Sequence, residues 1–296
     1  MGTIGSKISI TELMPHGVGA KISGLKIADD LDAAHDVLLD GLNRHSFVVL
    51  NDQQFSPAEQ SAFGQRFGSL RVSGYNKDHN YAVPGQPDLS TVSNIVESGR
   101  NIGVMDAGLL WHTDGSYLAT PDAYTALHAQ IIPQHDGKAI GDTLFVCTAT
   151  AYDALSDDMK KRLAGLQAVH SFEAHIEKKR ALGNLKRPAL KAEHKAAVPD
   201  VTHPIVRSHP LTGRKCLFVT EGHTFSIVGM AEKESQELLE TLWAHLKNPA
   251  FLYRHSWQVG DFVMWDNCST QHLALFDYGD TPRKLFRAAV MGSAPY

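Results

Sequence analysis

His112 and Asp114, in Trp111-His112-Thr113-Asp114, are an imidazole and a carboxylate two residues apart. On an extended segment such residues project from one face, so the pair can grip a single metal ion. Two ligands are too few for a metal that must also bind a substrate. A third has to come from far downstream, and His272, shortly after Trp265-Asp266-Asn267, offers it. Two imidazoles and one carboxylate on one side of a metal leave the opposite positions open, as in non-heme Fe(II) oxygenases. Zinc could use the same three groups plus a water. A His-x-Asp tripeptide alone does not separate these readings.

The elements that must hold these residues are short and mixed. Residues 7–25 alternate and are punctuated by glycines, which predicts two short strands. Leu31, Ala34, Val37, Leu38 and Leu42 fall at helical spacing over 31–43, with Asp32 or a neighbour as the N-cap. Ser46 to Leu50 is an apolar run that reads as a buried strand. Ser56-Pro57-Ala58-Glu59 is a helix start that should run to near Gly68. Residues 71–110 lack periodicity and are rich in Gly and Pro, so they should be mostly loop, with one strand over 89–94. Long loops in compact domains are usually functional, and Asn76, Lys77, His79 and Asn94 are its polar candidates.

Beyond Asp114, a strand is expected over 123–132, a helix over 151–166 with a second cap at Ser156, and strands over 205–208 and 215–220. A helix over 232–246 and strands over 251–257, 261–265 and 283–290 complete the pattern. Residues 173–200 carry Lys178, Lys179, Arg180, Lys186, Arg187, Lys191 and Lys195 against few acids. No aromatic residues interleave to stack on bases, so a mobile solvated segment is the stronger reading than a nucleic-acid patch.

Composition sets the outer limits. The 296 residues, 43% hydrophobic and 20% charged with a formal net charge of −4, suit one large domain and argue against non-specific nucleic-acid binding. Cys147, Cys216 and Cys268 are scattered and odd in number, which fits a reducing cytoplasm. Neither a membrane span nor an export signal is apparent. Met1-Gly2-Thr3-Ile4-Gly5-Ser6 matches the myristoylation pattern, but no polybasic patch adjoins it, and it reads as a coincidence.

Several ordered motifs together resemble the TauD/TfdA family of Fe(II)- and 2-oxoglutarate-dependent dioxygenases. They include Gly19-Ala20-Lys21-Ile22-Ser23-Gly24-Leu25, Phe63-Gly64-Gln65-Arg66-Phe67-Gly68, Trp111-His112-Thr113-Asp114, Gly141-Asp142-Thr143, Val259-Gly260-Asp261, Trp265-Asp266-Asn267, His272 and Arg283 to Arg287. The resemblance implies His112, Asp114 and His272 as iron ligands. It implies Thr143 and Arg283 as the holders of the distal carboxylate of 2-oxoglutarate, and Arg287 as the residue facing the acidic group of the primary substrate. A guanidinium fork with an added hydroxyl suits a carboxylate, and two arginines four apart on a strand would share a face. The other reading of Arg287 is an internal salt bridge, to an acid such as Asp266 or Glu221.

The resemblance further implies a mainly β (α+β) fold with flanking helices, a double-stranded β-helix of the jelly-roll, cupin-like kind, as one domain over 1–296. Residues 71–110 would help to form the substrate pocket, and 173–200 would be a lid whose cationic charge favours anionic molecules. The expected reaction uses Fe(II), 2-oxoglutarate and O2, hydroxylates a small acidic organic molecule such as a sulfonate, aryloxyalkanoate, sulfate ester or amino-acid-like carboxylate, and releases succinate and CO2. The expected protein is cytoplasmic, needs no nucleic acid or membrane, and is open to forming a dimer or tetramer. A zinc hydrolase would have no need of Thr143 with Arg283, and a non-catalytic relative would tolerate loss of a ligand. Two departures stand out: Pro133 to Gly141 is a few residues longer than usual, and Cys268 stands where many relatives have arginine.

Overall fold

Phe262-Val263-Met264-Trp265 is apolar at every position, and every one of these side chains is buried. A strand covered on both faces has that pattern. Phe262 and Met264 pack outward under helices, whereas Val263 and Trp265 pack inward toward a second sheet. The computed structural model describes residues 8–72, 81–183 and 192–296.

The strands that carry the argument are β1 (Ser9–Met14), β2 (Val18–Ser23), β3 (Phe47–Leu50), β4 (Ala82–Val83), β5 (Gln86–Ser93) and β6 (Asp122–Ile131), followed by β7 (Thr143–Cys147), β8 (Leu252–His255), β9 (Phe262–Asp266), β10 (Thr270–Ala274) and β11 (Lys284–Met291). The larger sheet has eight strands in the order β1-β2-β3-β9-β6-β11-β5-β4. Its pairs are antiparallel except β2 with β3. Facing it is the antiparallel sheet β8-β7-β10, in which Phe145 lies opposite His272. Phe47, Val92, Leu127, Val263, Trp265 and Leu285 of the large sheet meet Phe145 and Cys147 of the small one in a shared core. This is the expected jelly-roll sandwich, with His272 on β10 and His112 bridged to it.

Helices α1 (Leu31–His45) and α2 (Pro57–Arg66) cover the outer face of the large sheet through Ala34, Leu38, Leu42 and Phe63. The cap of α1 is Asp30, not Asp32; its carboxylate accepts from the backbone of Asp32 and Ala33. Ser56 and Glu59 form the expected reciprocal capping box, worth about 1 kcal/mol. The helix expected over 151–166 is two: α3 (Thr148–Asp153) and α4 (Asp157–Leu163), because Ser56-like capping at Ser156 starts a new helix rather than continuing the old one. Further on lie α5 (Phe172–Ala181), α6 (Ala192–Ala197) and α7 (Glu232–Leu246). The last has the bounds its apolar spacing predicts, and Leu238, Leu239, Leu242 and Leu246 are buried.

Other expectations are corrected. Residues 81–110 hold more strand than the sequence suggests: β4, β5 and a small ribbon of Val96–Glu97 with Arg100–Asn101. A separate sheet joins Gln167–His170, Val201–Pro204 and Thr224–Ile227. These strands are short and rich in His, Thr and Gln, so they lack a period-2 apolar signature. The long turn at Pro133 to Gly141 is a hairpin of Gln134–His135 with Lys138–Ala139, and it leaves Thr143 in register with Ala274. Among the described residues, no helix is long and apolar enough to cross a membrane.

Candidate metal centre

His112 and His272 face each other as an antiparallel bridge: the His112 N–H donates to the His272 carbonyl at 3.2 Å, and the His272 N–H returns to the His112 carbonyl at 2.9 Å. The backbone therefore sets the two rings 4.1 Å apart, centre to centre, whatever the side chains bind. His112 Nδ1 lies 2.8 Å from the Leu110 carbonyl, which requires the proton there and leaves the Nε2 lone pair aimed at Asp114 Oδ1, 3.6 Å away. Asp114 is placed by Asn267, whose Oδ1 accepts from the Asp114 backbone at 3.3 Å and from Trp265 Nε1 at 3.1 Å. Asn267 Nδ2 in turn donates to Thr125 Oγ1 at 2.9 Å, and Thr113 Oγ1 donates to the Thr270 carbonyl at 2.9 Å. The Trp-Asp-Asn motif is thus the clamp that fixes the His-x-Asp motif.

His112, Asp114 and His272 offer one ligand atom each within 4.8 Å of one another. His272 Nε2 is 4.0 Å from Asp114 Oδ2, and Asp114 Oδ2 is buried without a hydrogen-bond partner. Burial pushes the Asp114 carboxyl up, but the Arg287 guanidinium and the His272 and His112 imidazoles outweigh it and hold it well below the usual carboxylate range. Burial, reinforced by His112, pulls His272 down to about 3, so the ring is neutral and keeps a lone pair. An ionised carboxylate with an orphaned oxygen, beside the His272 ring and the Nε2 lone pair of His112, suits a divalent metal.

Thr143 pairs with Ala274, two residues beyond His272 on β10, and Arg283 packs against Gly141, two residues before Thr143. Thr143 Oγ1 accepts from Trp257 Nε1 at 3.0 Å, so its own O–H remains available to donate. Arg283 is 4% exposed, and its Nε has no hydrogen-bond partner. Of the carboxylates near it, Asp142 accepts from Arg254 Nε through Oδ2 at 2.5 Å and leaves Oδ1 unpartnered, and Asp277 accepts from the Gly141 N–H at 2.7 Å. Burial lowers the Arg283 pKa from its usual value. A buried guanidinium with an unmet donor is costly unless an anion arrives. Asn94, expected as a pocket residue, instead secures this arginine: its Oδ1 accepts from the Arg283 N–H at 2.9 Å while its Nδ2 donates to the Thr281 carbonyl at 3.0 Å.

Arg283 directly precedes β11, and the pairing of β11 with β6 shifts register between Lys284 and Leu285, so simple strand alternation does not carry from Arg287 back to Arg283. Arg287 Nη2 lies 3.1 Å from Asp114 Oδ1 and 3.5 Å from Asp122 Oδ2. The internal partners are therefore Asp114 and Asp122. Asp266 is bonded to His209 and Glu221 to Lys247. Both contacts of Arg287 use Nη2; its other nitrogens make no hydrogen bond among the described residues, and the side chain is 22% exposed.

Neither Asp122 nor Arg71 carries a motif that marks it, yet they bond to each other beside Arg287. His223 is buried, its ring is 5.9 Å from that of His112, and its Nδ1 pairs with Ser116 Oγ at 3.1 Å. Of the remaining loop candidates, Asn76, Lys77 and His79 lie outside the described residues, as do Lys186, Arg187 and Lys191. In the described part of the expected lid, Lys178 and Lys179 turn inward, whereas Arg180 and Lys195 are exposed and Lys195 pairs with Glu173. Lys178 donates to the Glu221 carbonyl at 2.7 Å, Lys179 is buried against Asp106 at 3.5 Å, and Arg180 pairs with Glu177 at 2.9 Å.

A second cluster of ligand-type groups, His209, Asp266 and Cys268, is buried. His209 Nδ1 accepts from the backbone of Leu211 at 3.2 Å and Thr212 at 3.1 Å, so Nε2 carries the proton and donates it to Asp266. That tautomer leaves no lone pair for a metal, and the cluster is a structural tie. Cys268 belongs to it: its backbone N–H donates to Asp266 Oδ1 at 2.6 Å, and its thiol contacts the Ser208 carbonyl at 3.9 Å.

Residues 9–289 match the model of the family described as "Taurine catabolism dioxygenase TauD, TfdA family". The chain is 30% identical over 295 residues to the pentalenolactone F synthase of Streptomyces arenae, covering 96% of this chain and 95% of that one. It is 32% identical over 258 residues to the alpha-ketoglutarate-dependent 2,4-dichlorophenoxyacetate dioxygenase of Burkholderia sp. (strain RASC), covering 85% and 83%. Among solved structures, it superposes on AAD-2 in complex with Mn(II) and N-oxalylglycine with a TM-score of 0.79 and 28% identity, covering 98% of this chain and 99% of that one.

Proposed function

Since the chain belongs to the TauD/TfdA family of 2-oxoglutarate-dependent dioxygenases, we propose that it hydroxylates a small organic acid held by Arg287, with His112, Asp114 and His272 as the iron ligands. The enzyme uses Fe(II), 2-oxoglutarate and O2. Bound iron supplies the activation of O2 that couples decarboxylation of 2-oxoglutarate, to succinate and CO2, to hydroxylation of the substrate.

The chain supplies the rest. His112, with its proton held on Nδ1 by Leu110, presents Nε2, and Asp114 stays ionised at neutral pH under the field of Arg287. Thr143 Oγ1 has a free proton to give, and Arg283 has an unmet Nε–H, so together they accept the distal carboxylate of 2-oxoglutarate. N-oxalylglycine, held by the solved relative, has the same two carboxylates with N–H in place of one CH2. Arg287 turns Nη2 to Asp114 and Asp122, and its other nitrogens make no hydrogen bond among the described residues, which leaves an open edge that a carboxylate, sulfonate or sulfate would take bidentately. That open edge, beside the ligand carboxylate, is the observation that carries the substrate class.

Anchoring by the acid group would keep the target C–H near the oxidant. A protein with free, buried Cys147, Cys216 and Cys268 is in keeping with a reducing compartment such as the cytoplasm. The test is succinate formation across sulfonates, aryloxyalkanoates, sulfate esters, amino acids and their neutral analogues. Acidic members should be turned over, and Arg287→Ala should weaken them while leaving the KM for 2-oxoglutarate nearly unchanged and uncoupling succinate from product. Neutral analogues turned over as well as acids would remove Arg287 from this role.

A further inference from the structure

Arg287 is not a lone cation. Asp122 sits behind it, 4% exposed, with Oδ2 at 3.5 Å from Arg287 Nη2 and Oδ1 accepting from Arg71 Nε. Arg71 is fixed by its own backbone N–H to the Ala289 carbonyl at 2.8 Å and by Nη2 to the Thr120 carbonyl at 2.9 Å. Asp122 cannot drift away from Arg287 either: it begins β6, and its backbone nitrogen lies 3.0 Å from where a Cβ on Gly115 would stand, against the residue that follows Asp114. The order of charges is therefore Asp114, Arg287, Asp122, Arg71, alternating in sign through direct contacts.

These signs add up simply. A divalent iron with Asp114, and dianionic 2-oxoglutarate with Arg283, sum to no net charge. Asp122 and Arg71 cancel each other. One positive charge is left, on Arg287, and one negative charge on the substrate completes the balance. Without Asp122 two guanidiniums would face the pocket, and a doubly charged head group would be favoured instead. In a partly buried site such an imbalance is weakly screened and decides between otherwise similar ligands.

Resting on the reading of Arg287 given above, we propose that Asp122, compensated by Arg71, is a specificity-determining residue that restricts the primary substrate to a singly charged acid group, excluding phosphate- and phosphonate-like dianions. Asp122 touches Arg287, so it acts by setting the charge and the direction of that guanidinium.

The probes are the sulfonate and the phosphonate that carry the preferred substrate's carbon skeleton, titrated calorimetrically at pH 8 into Mn(II)-loaded protein saturated with 2-oxoglutarate. The unaltered protein should bind the sulfonate at least about tenfold tighter than the phosphonate, a margin that one like-charge contact in a partly desolvated site can supply. Asp122→Asn keeps the hydrogen bonds and removes the charge, and should narrow or invert that ratio by about tenfold, whereas Asp122→Glu should restore it. Arg71→Gln should weaken both anions several-fold, because Asp122 then opposes them uncompensated, at roughly the cost of one close like charge. An unchanged sulfonate-to-phosphonate ratio in Asp122→Asn overturns the proposal. Should that variant fail to fold, Arg71→Gln decides: unaltered sulfonate affinity overturns it equally. A loss of discrimination is distinct from failure of the anchor itself, which would show as wild-type sulfonate affinity in Arg287→Ala.

Discussion

His112 and His272, far apart in the chain, exchange both backbone hydrogen bonds, at 3.2 and 2.9 Å. The two imidazoles are thus held by the sheet, and the proposed metal centre is preformed. Asp114 is held equally firmly through Asn267 and Thr125. Substitutions in this site should therefore alter chemistry more than folding, which makes kinetic tests clean.

Arg283→Ala should raise the KM for 2-oxoglutarate roughly thirtyfold or more, since removing one partner of a buried charge pair costs about 2 kcal/mol or more. Arg283→Lys should recover only part of this, because an ammonium lacks the planar fork. An unaltered KM in Arg283→Ala would assign the carboxylate to another cation.

Gly141 offers a second handle on the same pair. It has φ +79°, and a Cβ there would meet the Tyr278 ring at 2.9 Å and Arg283 Nε at 3.1 Å. Gly141→Ala combines a strained backbone with a displaced guanidinium, and should cost about 1 kcal/mol or more of stability. It should also raise the KM for 2-oxoglutarate while leaving metal affinity, measured by dialysis, within about twofold. A wild-type KM would show that Arg283 tolerates the shift.

Stability should fall in acid. Burial, with His203 adding to it, holds His170 down to about 3 from its ordinary 6.5. His175 is likewise held at about 3 by burial and Lys179. Both are depressed relative to the unfolded chain, so their contribution is complete above pH 6.5 and is lost as pH drops toward about 3. Each histidine steepens the loss by up to about 1.4 kcal/mol per pH unit within that window. In metal-free protein, His170→Phe should flatten the decline of Tm between pH 6.5 and 4.5; an unchanged slope would remove His170 from the cause. The substitution suits its surroundings, since the His170 ring stacks on Phe218 at 5.4 Å.

Much of this was legible in the residues themselves. The helix at Glu232–Leu246, the capping box at Ser56 and the strand at Phe262–Asp266, apolar as far as Trp265, follow from spacing and type. The ordered motifs suggested the candidate ligands and the two arginines as site residues, and the structure brings His112, Asp114 and His272 together. What stayed hidden depended on contacts between distant segments. Nothing about Asp122 in sequence says that it will meet Arg71 and Arg287, and Asn94 looks like a pocket residue until its amide is seen holding Arg283. Lys178 and Lys179 looked solvated for the same reason: composition sees charge but not the carbonyls and carboxylate that receive it. The strands at Gln167–His170 and Val201–Pro204 were missed because paired backbone, rather than apolar alternation, defines them.

The most direct measurement is O2-dependent conversion of 2-oxoglutarate to succinate by anaerobically Fe(II)-loaded protein, compared with Asp114→Ala under saturating iron and an acidic substrate from the panel. Loss of the one carboxylate among three ligands should abolish turnover by about a thousandfold or more, as expected when an iron site loses its anionic ligand. Succinate formed by Asp114→Ala at the wild-type rate would contradict the assignment of His112, Asp114 and His272 as the metal centre.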